Sequence, residues 1–77
     1  MQKSDFRTRI RLLILNLNIT QKEFATLTGC RESSISNYVV GVSTPNQKTL
    51  NKIATATKVD PSWLMGYGSD DDIPILQ

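Results

Sequence analysis

The sequence has 77 residues, with nine Lys plus Arg against seven Asp plus Glu, one Cys and no His, for a formal net charge of +2. That length holds one small domain around one modest core, with no room for a cleft between domains. A single cysteine excludes an intrachain disulfide and a multi-cysteine metal site, and the lack of histidine removes the commonest metal ligand and general base. No apolar run approaches the ~20 residues that span a bilayer and no signal peptide is evident, so the expectation is a cytoplasmic, non-enzymatic chain without metal or cofactor.

The first predicted helix is capped by Ser4 and carries Phe6, Ile10, Leu13, Ile14 and Leu17 at steps of three and four, the spacing of one buried stripe. Lys3, Arg7, Arg9 and Arg11 flank it and are expected on a solvated face, with one or two near the helix start in reach of phosphate. At 100° per residue, Leu12 and Leu15 fall off the stripe. They are candidates for cover by the C-terminal tail or for contact with a second subunit, as well as for plain exposure.

The second helix has a well-marked start. Thr20 and Glu23 form a capping box, Ile19 and Phe24 occupy hydrophobic-staple positions, and the helix is expected to run from Gln21 to Thr28, burying Phe24, Ala25 and Leu27. Gly29 then supplies the left-handed backbone of a sharp turn. The third helix is expected from Glu32 to Val39 or Val40, closing at Gly41, although Arg31 at its cap position is a poor capping residue. Small Ala25 suits a close helix crossing, and Ile35 and Tyr38 point back toward the first helix of this pair. Glu32, Ser33, Ser36, Asn37 and Val40 are left outward. A short helix presenting small hydrogen-bonding side chains near its N-terminus suits insertion into a DNA major groove.

Pro45 stiffens the approach to a fourth helix capped by Asn46, with Leu50, Ile53, Ala54 and Thr57 on one face, packed across the base of the two-helix unit. Val59 fills the core. Asp60 and Pro61 open a short fifth helix through Trp63, Leu64 and Met65 that stops at Gly66, with Trp63 read as core. Residues 1–68 form the domain, with nine basic residues against four acids for a charge of +5 (nine minus four). Residues 69–77 form an acidic and aliphatic tail holding Asp70, Asp71, Asp72, Ile73, Pro74, Ile75 and Leu76, expected to be disordered or to serve as an interaction segment.

The stretch TQKEFATLTGCRESSISNYVVG, followed by Thr44-Pro45 and LNKIATATKVDPSWLMG, resembles the helix-turn-helix domain of the phage repressor and Cro superfamily (XRE family) from about residue 6 to residue 67. The agreement is specific because it joins Gln21, Ala25, Gly29, Ile35, Pro45, Leu50, Ile53, Ala54 and Leu64-Met65-Gly66. The resemblance implies an all-α, five-helix, lambda repressor-like DNA-binding domain with its helix-turn-helix at helices 2 and 3. It also implies a transcriptional regulator binding a two-fold symmetric operator in double-stranded DNA as a homodimer. It assigns Glu32, Ser33 and Asn37, with Ser36 nearby, to base reading, and Gln21, Arg31, Ser43, Thr44, Asn46 and Lys48 to the DNA backbone. Leu12, Leu15, Trp63, Ile73, Ile75 and Leu76 are candidate dimer contacts.

Three departures from the family pattern stand out. An arginine in the first helix and a glutamate late in the third often pair in relatives; here the positions hold Ile14 and Val39, which predicts an apolar contact in the core. Val40 stands where a basic residue is usual. Longer members continue into a self-cleaving oligomerisation domain, so self-cleavage is not expected of these 77 residues, whether they are a full-length protein or part of a longer repressor. The alternative reading is an antitoxin or adaptor, using the same domain and gripping a protein partner through its tail. An enzyme ranks third, since Cys30 has no histidine to activate it and reads as a small core residue.

Overall fold

The computed structural model describes residues 6–66, which form five helices: α1 (Phe6–Leu17), α2 (Gln21–Thr28), α3 (Glu32–Val40), α4 (Gln47–Thr57) and α5 (Pro61–Leu64). The predicted Ser4 cap, Lys3 and the tail with Asp70–Asp72, Ile73, Ile75 and Leu76 lie outside the described residues. α1 packs against α3 and α5, α2 against α3 and α4, and α4 against α5. Among the described residues the fold is all-α with five helices, as the family resemblance implies.

Local chemistry marks most boundaries. The Thr20 hydroxyl accepts from the Glu23 N–H at 3.0 Å, and the Glu23 carboxylate accepts from the Thr20 N–H at 2.9 Å, completing the box that starts α2. Asn46 Oδ1 accepts from the Thr49 N–H at 2.8 Å and Asp60 Oδ1 from the Ser62 N–H at 2.9 Å, which start α4 and α5. α3 starts at Arg31 with no side-chain cap. Three helices end alike, with a left-handed residue at Gly29, Gly41 or Lys58. The following N–H of Cys30, Val42 or Val59 returns to the carbonyl of Ala25, Asn37 or Ala54.

Phe6, Ile10, Leu13, Phe24, Ala25, Ile35, Leu50, Ile53, Ala54, Val59, Trp63 and Leu64 make the core, and the half-buried Ile14, Leu17, Ile19, Cys30, Tyr38 and Val39 pack on it. Several expectations need correction. Arg9, expected on a solvated face, is fully buried between α1 and α5, where its Nη1 donates to the Trp63 carbonyl at 2.8 Å. The long stem fills core volume, and the carbonyl at the end of α5 satisfies part of the charged head. Leu27, expected inside, is exposed, and Thr28 takes the buried position by turning its hydroxyl back to the Phe24 carbonyl at 2.9 Å. Tyr38 packs on the core and meets Phe6 of α1 edge-on at 5.6 Å. Ile14 and Val39 are half-buried at the rim of the core, not within it.

Candidate nucleic-acid interface

α2 and α3 are held at a fixed angle by contacts converging on their turn. Gly29 has φ +71°, and Lys52 from α4 lies over it: a Cβ at Gly29 would stand 3.0 Å from Lys52 Cε. Lys52 Nζ donates to the Gly29 carbonyl at 2.7 Å, tying the turn to α4 and placing a positive charge at the C-terminal end of α2. Beneath the turn, Ala25 and Ile35 are both buried, so α3 is pressed against α2 along its inner side.

With that side fixed, α3 turns Glu32, Ser33, Asn37 and Val40 to solvent, while Ser36 is half-buried beside them. Glu32 accepts only, whereas Asn37 both donates and accepts, so the row offers distinct hydrogen-bonding patterns to base edges. Gln21, Arg31, Ser43, Thr44, Asn46 and Lys48 are all exposed. Asn46 is committed in part, because its Oδ1 caps α4 and only the amide nitrogen side remains to face a ligand. Gln21 shares a shallow groove of about 390 Å³ with Arg11, Ile14, Leu15, Ile19 and Val39, which sets an arginine near the start of α2.

At the other end of α3, Arg7 lies across Gly41: a Cβ there would stand 2.9 Å from Arg7 Cδ and 3.4 Å from Nη1. Arg7, Phe6, Tyr38, Gly41, Ser43 and Thr44 line one pocket of about 340 Å³. Partial burial raises the Tyr38 phenol above its ordinary value, and the nearby Cys30 thiol adds in the same direction. Among the candidate dimer contacts, Leu15 is 76% exposed and Leu12 is half-buried, but Trp63 is only 6% exposed and is enclosed against Arg9. That removes Trp63 as a surface for a partner. Among the described residues no His, Cys, Asp and Glu group could hold a metal, and no helix is long and apolar enough to cross a membrane.

Residues 10–64 match the helix-turn-helix family HTH_3, a span that takes in α2, the Gly29 turn and α3. The chain belongs to the helix-turn-helix family. Two solved structures share the architecture. The DNA-binding domain of the P22 c2 repressor superposes with a TM-score of 0.79 at 22% identity, covering 94% of this chain and 95% of that one. A transcriptional regulator from Listeria innocua superposes with a TM-score of 0.73 at 20% identity, covering 91% of this chain and 64% of that one. No curated protein matches the sequence. At these identities the superpositions speak for the fold. Membership of the helix-turn-helix family supports a DNA-binding domain.

Proposed function

We propose that this helix-turn-helix protein is a Cro-like or repressor-like transcriptional regulator that reads a short duplex operator with α3. The observation carrying this reading is the exposed row Glu32, Ser33 and Asn37 on a helix whose opposite side is locked by Ala25, Gly29 and Ile35. Glu32 suits a cytosine amino group and Asn37 a paired contact to adenine. Gln21 at the start of α2 meets backbone phosphate, as do Arg31, Ser43, Thr44, Asn46 and Lys48 around α3, fixing the register in which the bases are read. Val40 and Val42, both exposed, bracket Gly41 and suit the thymine methyl group or the sugar.

A single α3 reads only a few base pairs, so useful specificity calls for a homodimer on two half-sites about one helical turn apart, roughly 34 Å. Leu15 and Leu12 on α1 are the described apolar candidates for that contact. The tail residues Ile73, Ile75 and Leu76 remain a proposed contact with a second copy or another protein. The setting is the cytoplasm, at the nucleoid when DNA is bound. Selection of binding sites from random duplex DNA tests the reading: a two-fold symmetric consensus with steeply salt-dependent affinity is expected. Weak, sequence-blind binding would favour an adaptor or antitoxin role.

A further inference from the structure

The geometry points to the pocket of Arg7, Ser43 and Thr44 as a phosphodiester clamp that anchors the C-terminal end of the reading helix, with Arg7 as its charged member. The inference rests on the DNA-binding reading and adds to it a residue from α1 that lies outside α2, α3 and their turn.

Three features of the pocket agree. First, the charge is placed. Gly41 ends α3 with φ +87°, and because it has no side chain Arg7 can lie directly over it, with Nη1 at 3.4 Å from the position a Cβ would take. Any larger residue at Gly41 would meet Arg7 Cδ at 2.9 Å and push the guanidinium away from the loop. Second, the donors are complementary: the guanidinium presents several N–H groups in a planar fork, and the hydroxyl-bearing Ser43 and Thr44 line the same pocket. No acidic residue is among the described residues lining the pocket. Third, Phe6 and Tyr38 form an apolar wall, their rings edge-on at 5.6 Å, which lowers the local dielectric beside the charge. At about 340 Å³ the pocket has room for roughly ten waters, enough to admit a phosphate group and part of its hydration.

The location decides what the clamp does. Asn37 accepts the N–H groups of Gly41 and Val42 on its carbonyl at 3.0 and 2.9 Å, so the loop that lines the pocket is hydrogen-bonded to a residue of the reading row. A phosphate held by Arg7 and Thr44 therefore fixes the depth and tilt of α3 at Asn37, while Gln21 acts at the start of α2. The clamp positions the helix and reads no base.

The test compares duplex affinity across a salt series for the wild type, Arg7→Gln, Arg7→Lys, Ser43→Ala with Thr44→Ala, and Lys58→Gln. Lys58 ends α4 about 18 Å along the helix from Asn46, beyond a Debye length at moderate salt, and controls for loss of net charge. Arg7→Gln should weaken binding several-fold and reduce the slope of log affinity against log salt by about 0.9, one phosphate contact. Arg7→Lys should restore the slope but only part of the affinity, because an ammonium lacks the fork. The double alanine variant should weaken binding with the slope unchanged, and Lys58→Gln should change neither. Arg7 is exposed, so melting temperatures within a degree or so of wild type confirm that each readout concerns binding. An unchanged slope in Arg7→Gln, or an equal loss in Lys58→Gln, overturns the clamp while leaving DNA binding intact. No duplex binding by the wild type overturns both.

Discussion

Arg9 Nη1 donates to the Trp63 carbonyl at 2.8 Å while its guanidinium carbon stands 5.0 Å from the centroid of the Trp63 ring. One fully buried side chain thus joins the first helix to the last, by a charge-assisted hydrogen bond and by stacking on the aromatic face. In a domain this small, α5 is four residues long and cannot hold itself together without such an anchor.

Arg9→Ala should therefore lower stability by about 3 kcal/mol, since it removes a charged hydrogen bond and opens a cavity where the buried side chain stood. Arg9→Met keeps most of the stem and should cost less. Denaturant unfolding followed by Trp63 fluorescence reads both. Equal stability of the alanine variant and wild type would show that α5 is held by other contacts.

Ile14 and Val39 give a smaller expected effect than a buried pair would. Both line the open groove that also holds Arg11 and Gln21, so an arginine at position 14 can extend its head to water. Ile14→Arg alone should cost about 1 kcal/mol, short of the 3 or more expected of an unpaired buried charge. Adding Val39→Glu should return part of that loss. A double-mutant cycle with no coupling would show that positions 14 and 39 do not meet.

Lys58 closes α4 with φ +59°, a conformation that costs a side-chain-bearing residue roughly 1–2 kcal/mol. Replacing it with Gly should raise stability by about 0.5 kcal/mol after the extra entropy of the unfolded glycine is counted, or roughly 2–4 °C in Tm. A lower Tm would mean that the lysine side chain makes a contact worth more than the strain.

Much of the fold is legible in the sequence because the decisive signals are local. Thr20 with Glu23, Asn46, Asp60 before Pro61, and the glycines at 29 and 41 each act on backbone within a few residues of themselves. The α1 stripe and the outward row of α3 follow from helical period alone. What escapes is long-range. Arg9 reaches Trp63 across 54 residues and Lys52 reaches Gly29 across 23, and neither spacing leaves a trace in a period or a motif. The same holds for Arg7 over Gly41. On α2 the fault lies in polarity: Leu27 is more apolar than Thr28, but the helix end lets Thr28 satisfy its own hydroxyl on the Phe24 carbonyl and go inside.

The most direct measurement is binding of wild type, Asn37→Ala and Gln21→Ala to a selected operator and to variants of it with single base-pair changes. Asn37→Ala should lose about 1–3 kcal/mol on the operator and lose its preference at one base-pair position while keeping the others. Gln21→Ala should weaken every sequence to the same extent. If Asn37→Ala retained full affinity and the full pattern of base preference, α3 would not be the element that reads the DNA.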